Sequence, residues 1–236
     1  MIQFFAPDIE LTLTLPESDS QHCVKVLRKQ PGDLIEVIDG KGTRFTCRLL
    51  EAHQKRATVE ILERTPVPPY WSGKITMAVA PTKHLDRMEW LVEKLTETGF
   101  DTFVPLHCRW SERKELKTER LEKIAVSAMK QSLKATLPAI EPMTPFKKFI
   151  DSVRHIPQKF IAHCVSDAER HLLSHEYRPD SDTVIAIGPE GDFSPEEIAM
   201  ALEAGFIPVS LGNARLRTET AALLACHTLH MIQELA

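Results

Sequence analysis

From Lys74 onward the chain repeats one pattern, in which a short apolar run is followed by a segment whose apolar residues have helical spacing. KITMAVA has the length of a strand, and LDRMEWLVEKLTETG then places its apolar residues on one helical face before Gly99. The strand-like runs DTFVPL, FIAHC, TVIAIG and FIPVSLG continue the pattern. Further helices are predicted at 118–135, in SPEEIAMALEAG and in ETAALLACHTLHMIQEL. Because strands that alternate with helices usually pair in parallel, we predict an α/β fold with a mostly parallel sheet covered by helices on both faces.

The first third of the chain has a different pattern. After a helical segment, SDSQHCVKVL, it contains three short strand-like runs, LIEVI, RFTCRLL and ATVEILE, separated by turn and polar segments. Strands at this spacing predict a small barrel or a curled sheet. The segment at 64–73 holds three prolines and a glycine, which is typical of a linker. We therefore expect two domains, at 1–68 and 72–236.

Composition restricts the class of protein further. Hydrophobic residues make up 43% of the 236 residues and charged residues 26%, which is ordinary for a globular protein. The first residues lack the features of a signal peptide, and no apolar run has the length of a membrane span, so we expect a cytoplasmic protein. A net charge of −4 argues against non-specific coating of nucleic acid but permits a local basic patch on a specific binder.

The cysteines give no sign of a disulfide framework or a metal site. They are five in number, scattered, and never in a C-x-x-C pair. A His-Cys dipeptide occurs three times, but the spacings match no pattern of metal ligands. We therefore expect reduced thiols and no metal.

The stretch IGPEGDFSPEE, at 187–197, forms the connection after strand TVIAI. Ser194, Pro195 and Glu197 have the spacing of a capping box with proline at the first helical position, so a helix should begin there. Gly188 and Gly191 allow positive φ angles and a close approach to bare backbone. In parallel sheets ligands bind at the carboxyl ends of the strands, where this loop lies. A tight turn without a ligand is the alternative interpretation.

A second loop of the same kind favours a ligand site. In LGNARLRTETAALLA, at 211–225, a strand ends in glycine, and Arg215 and Arg217 precede a helix that Thr218 can cap, with Glu219 in its first turn. Neither loop matches a phosphate-binding signature, which disfavours nucleoside triphosphates and dinucleotides. Two such loops together predict a composite pocket.

These two motifs, in this order, resemble the RsmE family of SPOUT methyltransferases, which methylate N3 of a uridine in 16S ribosomal RNA. HCVKVLRKQPGD, KHLDRMEWLVEKLTETGFDTFVPL and SAMKQSLKATLPAI agree with the same family, so the resemblance covers nearly the whole chain. It implies an N-terminal PUA-like β-barrel that binds RNA and a C-terminal SPOUT domain with a trefoil knot. It also implies S-adenosylmethionine as cofactor and a homodimer whose site is built across the subunit interface.

The resemblance assigns cofactor contacts residue by residue. Gly188, Glu190 and Gly191 would belong to the first cofactor loop. A second loop would supply backbone groups that grip the adenine, from Leu211, Gly212, Leu216 and Thr218.

The chain departs from the family pattern at several positions. Asp192 stands where a second glycine is usual, which limits the turn and adds a charge beside the pocket. Asn213-Ala214-Arg215-Leu216 replaces a commoner basic-Ile-Leu form. Cys23 and Gln3 stand where histidine and arginine are frequent.

Methyl transfer to uracil N3 requires loss of the N3 proton and stabilisation of the resulting anion. We expect Arg217 to stabilise that anion, with Arg215 as second choice and Glu219 as the proton acceptor. The structural alternative for Glu219 is a carboxylate that only stabilises the helix N-terminus.

Contacts to RNA are expected from Arg28, Lys83 and Arg87, each of which could equally be a solvated surface charge. Three tryptophans could stack on a base, at positions 71, 90 and 110, although Trp90 lies among apolar neighbours and is expected in the core. Two other functions stay open: a SPOUT methyltransferase for another RNA such as transfer RNA, and a ribosome-binding protein that has lost catalysis, with Asp192 as the suspect residue.

Overall fold

The computed structural model describes residues 2–164 and 170–236. Contacts group the chain into two compact units. The first consists of Met1–Tyr70 with Val126–Leu137, and the second of Trp71–Ala125 with Pro138–Ala236. The domain boundaries at 1–68 and 72–236 stay a prediction. Within the described ranges, none of the helices combines the length and the apolar character needed to cross a lipid bilayer.

The first unit is built on a four-stranded sheet. Its strands, in the order in which they pair, are β1 (Gln3–Phe5), β2 (Leu34–Ile38), β3 (Thr43–Glu51) and β4 (Thr58–Pro66). The three longer strands were predicted and pair antiparallel, whereas the three-residue β1 was missed and pairs parallel to β2. Two short helices precede β2, α1 (Ile9–Thr12) and α2 (Glu17–Gln21), and α2 continues into a π-helical turn over His22–Val26.

Both faces of this sheet are covered by apolar residues. One cluster includes Val37, Phe45 and Leu49. On the other face Ile38 packs with Met129 and Ala135 from the distant segment Val126–Leu137. That segment is therefore part of the first unit's core, although it is remote in sequence.

The second unit contains a parallel sheet, which confirms the prediction of a mostly parallel one. Its strands are β5 (Ile75–Val79), β6 (Thr102–His107), β7 (Ala139–Ile140), β8 (Thr144–Pro145), β9 (Gln158–Ala162), β10 (His171–Leu172), β11 (Thr183–Ile187) and β12 (Ile207–Ser210). They lie in the order β10-β12-β9-β11-β5-β6-β7, and β8 also pairs with β6. Every pairing between these strands in the described part of the chain is parallel. The central strand β11 is buried along its whole length, which explains the apolar run over residues 184–187.

Helices cover both faces of this sheet. They are α3 (Leu85–Thr98), α5 (Phe146–Ser152), α6 (Leu173–Glu176), α7 (Pro195–Glu203) and α8 (Thr218–Leu235). A further helix, α4 (Glu119–Gln131), begins in the second unit and ends within the segment that belongs to the first. Alternate strand residues such as Ala78 and Val184 form one core cluster with residues of α5 and α7. Neighbouring residues of a strand point to opposite faces of the sheet. The strand residues that alternate with this cluster therefore face the other helical layer, in which α3 and α8 pack together.

Helix α3 confirms most of its predicted face. Met88, Leu91, Val92 and Leu95 are buried, and the helix ends at Gly99 with φ +108°. The expectation that Trp90 lies in the core is wrong, because its side chain is 41% exposed. Position 90 lies outside the stripe of buried residues on α3. The apolar residues next to Trp90 in the sequence do not show on which side of the helix its side chain lies.

Strand β12 joins the sheet beside β9, whereas helix α8, which follows it, packs against β5 and β11. The connection between them therefore crosses the carboxyl edge of the sheet. A trefoil knot at this crossing stays a prediction.

Candidate active site

The two loops singled out in the sequence lie at one edge of the parallel sheet. Strands β5, β9 and β11 run in register, with Ile187 opposite both Val79 and Ala162. Their carboxyl ends therefore meet, which is where ligands bind in sheets of this type. We call residues 188–194 the first loop and residues 211–217 the second loop.

A hydrogen bond joins the two loops. Thr218 Oγ1, at the end of the second loop, donates to the carbonyl oxygen of Gly188 over 3.1 Å in a buried position. The predicted capping role of Thr218 is wrong: Arg217 holds the N-cap position of α8 and makes no side-chain capping bond. The hydroxyl is used for a tertiary contact instead of a local one.

The capping box at the start of α7 is confirmed, and it does more than cap. Ser194 Oγ accepts from the Glu197 amide, while Glu197 Oε2 accepts from the Ser194 amide over 2.9 Å. The second carboxylate oxygen, Glu197 Oε1, accepts from the backbone amide of Arg109 over 2.8 Å. A buried helix cap thereby also holds the loop that follows β6.

Two more carboxylates in this stretch accept backbone amides from neighbouring strand ends. Glu190 Oε1 accepts from the amide of Lys83, after β5, over 3.0 Å. Asp192 Oδ2 accepts from the amide of Cys164, after β9, over 2.7 Å. We call Glu190, Asp192 and Glu197 the anchoring carboxylates, because together they tie this short stretch to three other loops.

The backbone of the first loop differs from the expectation. Neither Gly188 nor Gly191 has a positive φ; the residue in the left-handed region is Asp192, at φ +66°. Aspartate tolerates this conformation better than most residues. Space at Gly188 is tight, since a Cβ there would lie 3.1 Å from the ring of Phe193.

The second loop exposes bare backbone beside apolar side chains. Gly212 has φ +107°, and a Cβ built on it would have no heavy atom within 4 Å. Leu211 and Leu216 are half-buried on either side of it. Open backbone groups next to apolar surface suit a flat heteroaromatic ring such as adenine, so these residues fit the cofactor that the resemblance implies.

Charged candidates cluster where α8 begins. Arg215 and Arg217 are exposed, whereas Glu219 is only 7% exposed. Glu219 Oε1 lies 3.7 Å from Arg87 Nη1, and its buried Oε2 has no hydrogen-bond partner within the described part of the chain. The structure thus brings Arg87 and Glu219, which were assigned separately, close together.

The other predicted RNA contacts are placed as follows. Lys83 lies at the carboxyl edge, exposed, with its Nζ 3.3 Å from Glu112 Oε2. Arg28 belongs to the first unit, just after the π-helical turn, and has φ +55°. Both π-helical turns and left-handed non-glycine residues are frequent at functional sites.

Sequence reasoning missed Arg113, which shapes the β5 end of the site. Its Nε donates to the carbonyl of Thr82 over 3.2 Å, and its Nη2 donates to that of Lys83 over 2.7 Å. An arginine in a polar segment carries no sequence signal for such a contact.

The thiols and histidines of the described residues give no sign of metal chemistry. No group of three or more His, Cys, Asp or Glu side chains within those residues could hold a metal ion. Burial raises the pKa of the thiols of Cys23 and Cys108, and raises the pKa of Cys47 to about 11. Burial lowers the pKa of His163, although Asp192 partly opposes this effect.

The fold and the paired loops define the class of protein as an RNA methyltransferase. A family model described as an RNA methyltransferase domain matches residues 69–230, and one described as an RNA methyltransferase PUA domain matches residues 15–62. The Ribosomal RNA small subunit methyltransferase E of Synechocystis sp. is 31% identical over 235 residues, which cover 96% of this chain and 75% of that relative. The chain therefore belongs to the ribosomal RNA small subunit methyltransferase E family.

Solved structures agree with this assignment. A probable rRNA-methyltransferase from Porphyromonas gingivalis is 44% identical, with a TM-score of 0.95 over 100% of this chain and 99% of its own. The Ribosomal RNA small subunit methyltransferase E from Neisseria gonorrhoeae, solved with bound S-adenosyl methionine, is 30% identical, with a TM-score of 0.85 over 98% of each chain. The predicted fold class, with its PUA-like N-terminal part, is confirmed.

Proposed function

We propose that this protein methylates N3 of a uridine in 16S ribosomal RNA, with the small ribosomal subunit as its substrate. Membership of the family carries RNA methyl transfer with S-adenosylmethionine as cofactor. The observation that carries the proposal is the bond between Thr218 and Gly188, which joins the two loops directly beside Arg217 and Glu219.

We assign the cofactor to the two loops. Gly191 and Gly212 leave exposed backbone, Gly188 lets the first loop pack closely on Phe193, Leu211 and Leu216 supply apolar contact, and Thr218 holds the loops together. Glu190 acts by fixing the first loop to Lys83. When bound, S-adenosylmethionine supplies a methyl group already activated by its sulfonium, so the protein's task is alignment and charge stabilisation.

The residues at the start of α8 suit removal of a proton from uracil N3. The buried Oε2 of Glu219 needs a hydrogen-bond donor, and the N3–H group is a donor. Arg217 carries a guanidinium at the N-terminus of the same helix, where it can stabilise the negative charge that develops on the uracil oxygens. Arg215 is the second cation for this role, and Arg87 orients Glu219.

The presence of Asp192 in the first loop gives no support to the alternative function, a ribosome-binding protein that has lost catalysis. Its carboxylate accepts from the amides of Cys164 and Phe193, and its backbone adopts the left-handed conformation open to glycine. The departure from the family pattern is therefore accommodated within the loop.

Further assignments concern partners and location. We place RNA contacts at Arg28, Lys83 and Arg87, and we place the protein in the cytoplasm with the ribosomal substrate. A homodimer is supported by an exposed apolar stripe along α8, formed by Leu224, Met231 and Leu235.

The test is methyl transfer from labelled S-adenosylmethionine to small subunits that lack the modification, with free 16S RNA and transfer RNA in parallel. Nucleoside mass spectrometry should find 3-methyluridine in RNA from the assembled subunit. Label in transfer RNA alone would assign the protein to another substrate. No label in any RNA, with the fold intact, would support a binding protein without activity.

Arg217→Ala is the matching variant. We expect kcat to fall by about 10²- to 10³-fold, the usual effect of removing one donor to a developing anion, while the Kd for S-adenosylmethionine changes little. Arg154→Ala is the control, because Arg154 is an exposed arginine whose ion pair is with Asp151, three residues earlier in the chain. Unchanged kcat in Arg217→Ala would refute its assignment.

A further inference from the structure

Trp110 differs from the other two tryptophans in its position on the sheet. Trp71 donates from Nε1 to Asp101 and packs edge-on against His230, at the amino end of β5. Trp90 lies midway along α3. Trp110 follows β6 at the carboxyl edge and is 46% exposed. A Cβ built on Gly191, in the first loop, would lie 3.5 Å from the Cβ of Trp110, so residue 110 lies directly beside the first loop.

The turn that carries Trp110 is fixed on both sides. Within it, the Ser111 amide donates to the Cys108 carbonyl over 3.1 Å, and the Cys108 amide donates to Ser111 Oγ over 3.0 Å. The Arg109 amide is held by Glu197, and Arg113 is bonded to two carbonyls of the β5 loop. An exposed indole on a rigid support loses little conformational entropy when it binds a ligand.

The charge around Trp110 is suited to RNA. Residues 109–117 contain four cationic and two acidic side chains in a chain whose net charge is −4. Lys83 adds a further exposed cation at the same edge. Its pair with Glu112 and the pair of Arg109 with Glu196 are exposed, so both cations can be redirected to phosphate at small cost.

We propose that Trp110 is a stacking platform for a nucleobase of the substrate RNA, with the neighbouring cations positioning the phosphates. Aromatic side chains stack on any base, and cations beside them track the backbone. The inference rests on the proposed function, since it names a substrate contact of the same site. Gly191 lets the first loop lie close to residue 110, since a Cβ at position 191 would be in van der Waals contact with the Trp110 Cβ.

The test compares Trp110→Ala and Trp110→Phe in steady-state methyl transfer to unmodified small subunits. Loss of stacking should lower kcat/KM for the subunit by about 5- to 150-fold in Trp110→Ala, and Trp110→Phe should recover most of it. Isothermal titration with S-adenosylmethionine alone should give an unchanged Kd. Trp90→Ala, which removes an exposed tryptophan from the same unit, is the matched control and should stay within about twofold of the unsubstituted protein.

Several outcomes would overturn the inference. Trp110→Ala with unchanged kcat/KM would show that no base stacks there. A parallel loss of S-adenosylmethionine affinity would assign the indole to the cofactor, and a change in oligomeric mass would assign it to a second copy of the chain. If Trp110→Ala does not fold, Trp110→Leu, which keeps apolar bulk without an aromatic face, should show the same loss. Absence of transfer by the unsubstituted protein would overturn the proposed function and this inference together, whereas activity that is insensitive to position 110 would overturn the inference alone.

Discussion

Replacing Asp192 by glycine tests whether its carboxylate or its backbone conformation matters more. Asp192 has φ +66°, and its carboxylate accepts from the amides of Cys164 over 2.7 Å and Phe193 over 2.8 Å. Hydrogen bonds to a charged group contribute about 1.5–3 kcal/mol each, and the lower value applies to this half-buried side chain, so the two together contribute about 3 kcal/mol. Glycine recovers about 1 kcal/mol of left-handed backbone cost. We therefore expect Asp192→Gly to lower the free energy of unfolding by about 2 kcal/mol.

Two other substitutions at this position extend the test. Asp192→Ala loses both hydrogen bonds and retains the backbone cost, so it should be about 1 kcal/mol less stable than Asp192→Gly. Asp192→Asn keeps one acceptor oxygen and a tolerated left-handed conformation, so it should lie between the glycine variant and the unsubstituted protein.

Asp180→Gly is the matched control. Asp180 also has a left-handed backbone, at φ +65°, but it is exposed. Glycine there should leave stability unchanged or raise it by up to about 1 kcal/mol. The two aspartates therefore share a backbone conformation and differ in what their carboxylates hold.

The assay is urea unfolding followed by tryptophan fluorescence. All three tryptophans lie in Trp71–Ala125, so the signal reports the second unit. The first loop of Asp192→Gly could instead become ordered only when the cofactor binds. The free-energy loss of about 2 kcal/mol would then appear in binding, as an increase of about thirtyfold in the Kd for S-adenosylmethionine. An Asp192→Gly protein as stable as the unsubstituted one, with equal cofactor affinity, would refute the anchoring role. Equal stability of the alanine and glycine variants would refute the left-handed assignment.

Two further predictions concern the same edge of the sheet. Thr218→Val removes the hydroxyl that bonds Gly188, so urea unfolding should show a loss of about 1–3 kcal/mol and calorimetry a weaker affinity for S-adenosylmethionine. Thr144→Val is the control, because the Thr144 hydroxyl makes an exposed local bond to the Pro142 carbonyl, and it should change stability by no more than about 0.5 kcal/mol. Burial holds the pKa of His163 below its ordinary value of 6.5, so the unfolded chain takes up a proton before the native protein does as the pH falls. The contribution of His163 to stability should therefore be constant above pH 6.5 and should decrease below it. Urea unfolding between pH 7.5 and 5 should show a smaller decrease in the free energy of unfolding for His163→Gln. The same pH profile in both proteins would contradict the lowered pKa of His163.

Local patterns in the sequence predicted the elements that depend on local interactions. The strand TVIAI, the capping box at Ser194 and the buried face of α3 were all recognised, because periodicity and cap spacing are properties of adjacent residues. The two-residue strands β7, β8 and β10 were missed, since two residues are too few to show alternation.

The errors occur where distant parts of the chain meet. Thr218 has the sequence of a helix cap but bonds a carbonyl thirty residues away in the chain. Asp192 occupies the left-handed position that was expected of glycine, because its carboxylate gains partners from another loop. The helical pattern of 118–135 indicated a helix, but nothing in it showed that Val126–Leu137 packs into the first unit.

The contacts of the anchoring carboxylates determine when during folding the site can form. Glu190 and Glu197 bond residues 107 and 88 positions earlier in the chain, whereas Thr218 must arrive 30 positions after Gly188. Contacts of such sequence separation form slowly, because the intervening chain must first be ordered. A growing polypeptide that ends before Thr218 lacks the bond that joins the two loops. If the two loops hold the cofactor as proposed, we expect competence to bind the methyl donor to appear late in synthesis and to report that the second unit has been completed.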